Sequence, residues 1–106
     1  MDSNVRNGST PFRGTFKATV VAFFMHFVYI LYSESFNRYY VGYSADVDAR
    51  LERHNRGMVP ATRNYRPYVL KAKKSFPNQT VARKEEYRIK KQKSRIYIES
   101  LIAGNW

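Results

Sequence analysis

Apolar residues along the chain form short runs that turn residues separate. The alternation over residues 27–32 and 39–43 predicts two strands, and the polar residues 33–38 between them predict the turn of a hairpin. Residues 68–76, which follow Pro67, predict a third strand.

Three helices are predicted between and after these strands. The first begins at a cap residue, Ser44 or Asp46, runs to about position 54 and stops before Gly57. The second covers about residues 81–92, and the third starts at the cap Ser94 and ends at Gly104. The order β-β-α-β-α-α predicts an α+β domain in which helices flank a three-stranded antiparallel sheet.

The N-terminal part of the chain differs in composition from the rest. Residues 1–24 are predicted to be a flexible extension, and residues 25–106 to be the folded domain, since Met25 could be an alternative start. The apolar stretch 18–32 resembles the core of a signal peptide, but no small-residue cleavage site follows it. It is too short and too interrupted for a membrane span, which needs about 20 apolar residues. Its aromatic and β-branched content favours a buried strand.

Charge and cysteine content narrow the function. The chain has 19 Lys and Arg against 8 Asp and Glu, and its net charge of +11 attracts polyanions such as DNA, RNA or anionic lipid. The alternative is a basic face that only confers solubility. The absence of Cys excludes disulfides and thiolate metal sites and is consistent with a cytoplasmic protein, which we expect. With only two His, a catalytic metal would depend on carboxylates and water, which favours Mg²⁺ or Mn²⁺.

Five residues of the predicted elements could carry chemistry, although each has a simpler interpretation. Tyr29 and Tyr40 lie on adjacent strands and could be cross-strand neighbours, but paired tyrosines usually serve sheet packing. Gly42, inside a strand, indicates a close backbone approach or a bulge. Arg50 and His54 share one face of the first helix, where Arg50 on its own would be an ordinary solvated charge.

The second helix carries two adjacent carboxylates in a run that is otherwise rich in Lys and Arg. Such a carboxylate usually pairs with a basic neighbour, as Glu86 could with Lys90 four residues on. A carboxylate amid positive charge is also how a nuclease holds a hard cation against phosphate.

Together these segments resemble the GIY-YIG nuclease family, in particular its small single-domain members, which are similar to the nuclease half of the bacterial excision-repair incision protein. In chain order, the matching segments are Phe27-Val28-Tyr29, Tyr40-Val41-Gly42 and residues 48–57, 82–90 and 93–102. Phe27 replaces the Gly that names the first motif, at a position we expect to be structural. The resemblance covers about residues 26–103 and implies the GIY-YIG fold for residues 25–106.

The resemblance implies a metal-dependent endonuclease that hydrolyses DNA phosphodiester bonds, in DNA repair or processing by analogy. The implied catalytic residues are Tyr29, Tyr40, Arg50, His54 and Glu86. Tyr29 would be the general base, and it would need nearby positive charge because a free tyrosine has a pKa of about 10. Tyr40 would orient water or a phosphate oxygen, and Arg50 would hold the scissile phosphate. Glu86, or alternatively its neighbour Glu85, would bind Mg²⁺ or Mn²⁺, and His54 would assist proton transfer or position Tyr29.

DNA is therefore the expected partner, with no membrane or protein partner and with a monomeric or weakly dimeric state. Residues expected to contact DNA phosphates are Arg53, Arg63, Arg66, Lys90, Lys91 and Lys93. The main alternative is a non-catalytic nucleic-acid-binding module on the same scaffold. Two further alternatives are a basic protein bound to ribosomal RNA and a membrane-surface protein that uses residues 18–32 as an amphipathic anchor.

Overall fold

The computed structural model describes residues 25–106; the predicted extension, residues 1–24, and with it the first part of the apolar stretch, lies outside the described residues. The elements are β1 His26–Ser33, β2 Arg38–Ser44, α1 Val47–Asn55, β3 Val69–Phe76, α2 Gln79–Gln92 and α3 Arg95–Ser100. A short 3₁₀ turn, Arg63–Tyr65, interrupts the loop between α1 and β3, and α3 continues into a π-helical turn, Leu101–Asn105. The predicted order β-β-α-β-α-α is confirmed.

The three strands form one antiparallel sheet in the order β2-β1-β3, so β1 is central and β2 is an edge strand. In the pairing of β1 with β2, Tyr29 lies opposite Gly42 and Leu31 lies opposite Tyr40. Tyr29 and Tyr40 therefore share a face of the sheet, but as diagonal neighbours and not as a directly opposed pair.

Helices cover both faces of the sheet, because the strand residues alternate between two apolar clusters. On one face, α2 and the C-terminal segment pack on the sheet through Val28, Ile30, Val41, Ala82, Ile89 and Leu101. On the other face, α1 and the start of β3 contribute to a cluster of Tyr29, Leu31, Val47 and Tyr68. Burying a large apolar side chain stabilises the fold by about 1.5–3 kcal/mol. Because residues along each strand alternate between the two faces of the sheet, the apolar positions on each face determine where a helix packs.

Side-chain caps fix where the helices begin and end. The carboxylate of Asp46 accepts a hydrogen bond of 3.1 Å from the backbone N–H of Ala49, so Asp46 caps α1, while Ser44 supports the turn before it. Gly57, with φ of 79°, ends this segment as predicted. None of the helices within residues 25–106 has the length and apolar content that crossing a bilayer requires.

Candidate active site

An open cleft of about 240 Å³ lies beside the edge strand β2. Its lining residues are Tyr29, Tyr40, Gly42, Tyr43, Arg50 and Glu86. Tyr29 and Tyr40 come from the sheet face that α1 covers, and Tyr43 comes from the opposite face. The cleft thus brings together the phenols, the guanidinium and one carboxylate that the sequence singled out. A larger open depression of about 530 Å³ over α2 contains none of them.

The ring of Tyr29 lies directly against the backbone of Gly42. A Cβ atom at position 42 would be 2.5 Å from Oη of Tyr29 and 2.7 Å from its Cζ, closer than real Cβ contacts allow. The predicted close approach at Gly42 is confirmed, but the approaching group is the Tyr29 side chain and not another backbone segment. Glycine is required at position 42 because a side chain there would collide with the ring of Tyr29, which lies across the strand.

A buried chain of hydrogen bonds runs from the cleft into the loop that follows α1. Oη of Tyr29 lies 2.9 Å from Nε2 of His54, and Nδ1 of His54 lies 2.7 Å from Oγ1 of Thr62. The Thr62 hydroxyl also lies 3.4 Å from the carbonyl oxygen of Val59, to which it donates. With its proton directed there, Thr62 accepts from Nδ1–H, and Nε2 is left to accept the hydroxyl of Tyr29.

Burial sets the protonation of both ring systems in this chain. It lowers the pKa of His54 to about 4, and the charges of Arg50 and Arg53 add to the effect, so the imidazole is neutral at pH 7. Burial raises the pKa of Tyr29 to about 12, although the guanidinium of Arg50 opposes the rise. The nearby positive charge that Tyr29 would need is supplied by Arg50, but among the described protein groups desolvation outweighs the guanidinium.

Arg50 contributes an unsatisfied donor to the cleft. Within the described residues its Nε atom is buried and has no hydrogen-bond partner. A buried donor left unpaired costs about 1–3 kcal/mol, and an anion in the cleft would satisfy it. This is the behaviour expected of an anion-binding arginine and not of a solvated surface charge, which was the simpler interpretation of the sequence.

The two adjacent carboxylates of α2 have different surroundings. Glu85 accepts hydrogen bonds of 2.9 and 2.7 Å from the guanidinium of Arg88 and one of 2.9 Å from Nε1 of Trp106. The Arg88 hydrogen bonds lower the pKa of Glu85, and the Trp106 hydrogen bond ties Glu85 to the C-terminal segment. Glu86 lines the cleft, is 17% exposed and lies 3.2 Å from Nζ of Lys90. Glu86 is therefore the carboxylate of this pair that reaches the cleft.

Of the six residues expected to contact phosphate, Lys90 lies nearest to the cleft, since its Nζ atom is 5.3 Å from the centre of the Tyr40 ring and pairs with Glu86. The other five are exposed side chains on α1, on the loop after it and around the end of α2, namely Arg53, Arg63, Arg66, Lys91 and Lys93. The structure places them outside the cleft, where they contribute to the basic surface.

Three residues of the site were not predicted from the sequence, namely Tyr43, which lines the cleft, and Asn55 and Thr62. Thr62 is fully buried and holds His54, and Asn55 fixes the loop that carries Thr62. The Asn55 amide donates to the carbonyl of Tyr68 at 3.0 Å and accepts the N–H of Tyr68 at 2.7 Å, which closes the loop on itself. These contacts join residues 8 and 13 positions apart across an irregular loop, where no periodic pattern reveals them.

Comparison with known proteins agrees with the motifs. The family model described as the GIY-YIG catalytic domain matches residues 25–98. A UPF0213 protein of Halobacterium salinarum is 41% identical over 79 residues, which is 74% of this chain and 100% of that relative. A UPF0213 protein of Staphylococcus aureus is 42% identical over 66 residues, 61% of this chain and 79% of the relative. The solution NMR structure of the UPF0213 protein BH0048 from Bacillus halodurans is 36% identical, covers 74% of this chain and 83% of that chain, and has a TM-score of 0.47.

Proposed function

The chain belongs to the GIY-YIG family as a small single-domain member, and on this premise we propose that it is a metal-dependent DNA endonuclease. The observation that carries the proposal is the meeting of Tyr29, Tyr40, Arg50 and Glu86 in one cleft. Hydrolysis of a phosphodiester needs a group that orients water, a cation that neutralises developing charge and a donor that holds the phosphate. A role in DNA repair or processing belongs to the proposal by family likeness alone.

Glu86 would hold Mg²⁺ or Mn²⁺. Within residues 25–106 no three His, Cys, Asp or Glu side chains cluster as a metal cage, so the protein offers a single carboxylate in the cleft. This donor set fits Mg²⁺, which is commonly bound through one or two carboxylates, with waters and substrate phosphates completing its shell. When bound, the ion would supply charge stabilisation at the phosphate and at the leaving oxygen.

Arg50 would hold the scissile phosphate. Its buried, unpaired Nε is the donor that a phosphate oxygen would satisfy, and the planar guanidinium can give two parallel hydrogen bonds. A lysine at this position could not reproduce that geometry. The same guanidinium lowers the pKa of Tyr29, although burial outweighs it, so phosphate binding and partial stabilisation of the phenolate would share one residue.

In its phenolate form Tyr29 would act as the general base and accept a proton from the attacking water, and Tyr40 would orient that water or a phosphate oxygen. His54 is better placed as a positioning residue than as a proton acceptor, because its low pKa makes the imidazole a weak base. Its Nε2 atom would fix the Tyr29 oxygen, and Thr62 would fix the imidazole. The hydrogen-bonded chain therefore supports a base whose orientation is set before DNA arrives.

A plasmid nicking assay tests the proposal. Purified protein is incubated with supercoiled DNA in Mg²⁺ or in EDTA, beside Glu86→Gln and a control, Glu52→Gln, which neutralises an exposed carboxylate of α1 that pairs with Arg56. We expect nicking that needs Mg²⁺, survives Glu52→Gln and falls at least a hundredfold in Glu86→Gln while DNA binding persists. DNA binding without nicking by the wild type would instead support the non-catalytic module, and equal nicking by Glu86→Gln would indicate a contaminating nuclease.

A further inference from the structure

An aromatic side chain is exposed at the tip of the β1–β2 turn. Phe36 is 50% exposed, although its neighbours in the turn are polar. Its ring meets the ring of Tyr65 edge to face, with 5.4 Å between centroids and an interplanar angle of 84°. Tyr65 belongs to the 3₁₀ turn after α1, so two separate loops present their aromatic rings at one place.

A guanidinium completes this arrangement. The Cζ atom of Arg38 lies 3.9 Å from the centre of the Tyr65 ring, which is cation–π contact. Within residues 25–106 no carboxylate forms an ion pair with Arg38, so its charge is not neutralised by a described side chain. Phe36, Tyr65 and Arg38 together form what we call the aromatic platform, a surface that is both apolar and cationic.

Hydrogen bonds to β1 and to α3 hold the turn that carries Phe36. Asn37 adopts a φ of 54°, and its side-chain oxygen accepts hydrogen bonds from the hydroxyl of Tyr32, at 2.7 Å, and from the guanidinium of Arg95. Arg95 also donates to the backbone carbonyl of Asn37 at 2.9 Å. These bonds tie the turn to α3, so Phe36 projects from a fixed position, and little ordering entropy is lost when a ligand binds to it.

The aromatic platform and the cleft lie on the same face of the sheet. Arg38 and Tyr40 are two residues apart on β2, so their side chains point to one face about 7 Å from each other along the strand. Tyr65 and Tyr40 both pack against the cluster that α1 covers. A chain running along β2 from the turn to Gly42 would therefore pass the platform first and the cleft next.

We propose that the aromatic platform binds an unpaired nucleobase of the DNA strand whose phosphodiester lies in the cleft, an inference that rests on the proposed function. Every base offers a flat π-face to an aromatic ring, and a guanidinium beside it attracts the adjacent phosphate. Inside a duplex these faces are already stacked on neighbouring bases. The platform would thus favour DNA that is single-stranded next to the cut, without selecting a sequence.

Fluorescence anisotropy in EDTA tests this without requiring cleavage. A labelled single strand and the duplex of the same sequence are titrated with wild type, Phe36→Ala and Phe36→Leu, beside the control Ile96→Ala, which removes an 80% exposed apolar side chain from α3. Loss of one stacked base weakens binding by about tenfold, within a wide range. We expect Phe36→Ala and Phe36→Leu to lose about this factor for the single strand and less than twofold for the duplex, and Ile96→Ala to change neither.

Other outcomes overturn the inference. Equal loss for single strand and duplex would make Phe36 a general contact, unchanged binding would remove it from the DNA path, and full binding by Phe36→Leu would show that apolar contact suffices without stacking. Tighter binding of the same sequence as RNA would replace DNA as the occupant. Circular dichroism checks that each variant is folded. If Phe36→Ala unfolds, the conservative Phe36→Leu still tests whether the ring contributes to binding.

The inference and the proposed function fail separately. A protein that never nicks DNA but loses selective single-strand binding on Phe36 replacement would refute the nuclease and retain the platform. A protein that nicks DNA in Mg²⁺ and binds single strands equally well with and without Phe36 would do the reverse.

Discussion

Tyr29 can lie across β2 only because position 42 carries no side chain. We therefore expect Gly42→Ala to displace the phenol, since a methyl 2.5 Å from Oη cannot be accommodated without movement of the ring or the strand. The displacement should cost about 1–3 kcal/mol of unfolding free energy, as overpacking commonly does. It should also lower Mg²⁺-dependent nicking at least tenfold. Urea unfolding and the plasmid assay measure the two effects, and an alanine variant with wild-type values for both would contradict the packing argument.

His54 gives the domain a pH dependence whose sign follows from burial. Its pKa is lowered from 6.5 to about 4, so the unfolded chain takes up a proton below about pH 6.5 while the folded chain does not until about pH 4. The unfolding free energy should therefore fall as the pH drops from 6.5 to 4, by on the order of 2 kcal/mol, and this contribution should level off below pH 4.

Urea unfolding at a series of pH values measures this trend. The matched variant is His54→Gln, which keeps a polar side chain of similar reach at position 54 but does not titrate. We expect its stability to be lower at pH 7 and to change less between pH 6.5 and 4. A slope equal to that of the wild type would assign the pH dependence to other groups.

The local sequence pattern was enough to predict the strands and helices of this fold, because strand alternation and helix caps depend on residues that are close together in the sequence. Asp46, Asn78 and Ser94 each accept a hydrogen bond from the backbone three residues on, as their residue types indicate. The predicted third helix holds only to Ser100, after which the backbone widens into the π-helical turn. Nothing in the local apolar pattern distinguishes that turn from a continuing helix.

The site was less predictable, since its groups meet through long-range packing. The family motifs indicated the candidate site residues. They did not show which of Glu85 and Glu86 reaches the cleft, because Glu85 is held by Trp106, which is 21 residues away and donates a hydrogen bond to it. The raised pKa of Tyr29 likewise results from burial under α1, a property of the assembled sheet. The spacing of residues in the sequence could not show whether burial or the charge of Arg50 has the larger effect on the pKa of Tyr29.

The spacing of Lys90 and Glu86 on α2 places an ammonium group next to the proposed metal ligand. Because both would compete for one carboxylate, we expect Lys90→Met to bind Mn²⁺ more tightly in the absence of DNA. An ion pair at the protein surface is worth about 0.2–1 kcal/mol, so the dissociation constant should fall by about 1.4- to fivefold.

Titration of Mn²⁺ followed by electron paramagnetic resonance measures that constant. Lys91→Met is the matched control, since it removes the same charge from the exposed neighbouring position of the same helix. Equal tightening in both variants would point to the overall charge of the protein, and no tightening in Lys90→Met would mean that the ion pair does not compete with the metal.

The net charge of +11 would govern how the whole molecule meets DNA, its proposed partner. Each phosphate that a Lys or Arg neutralises on duplex DNA releases counterions and contributes about −0.9 to the slope of log affinity against log salt. For the wild type we expect the affinity to fall steeply with salt between 50 and 200 mM, an increase in salt concentration of about fourfold. Replacing one exposed contact, as in Arg63→Gln or Lys93→Gln, should lower its magnitude by about one unit.

Removing an aromatic ring should act differently from removing a charge, and this difference separates the two parts of the proposed DNA-binding surface. Stacking releases no counterions, so Phe36→Ala should weaken single-strand binding by a similar factor at every salt concentration and leave the slope unchanged. Anisotropy titrations of both classes of variant over the same salt range give the comparison. A flatter slope for Phe36→Ala would mean that the ring acts by positioning Arg38 and other cations against phosphate, and that the base itself is not held.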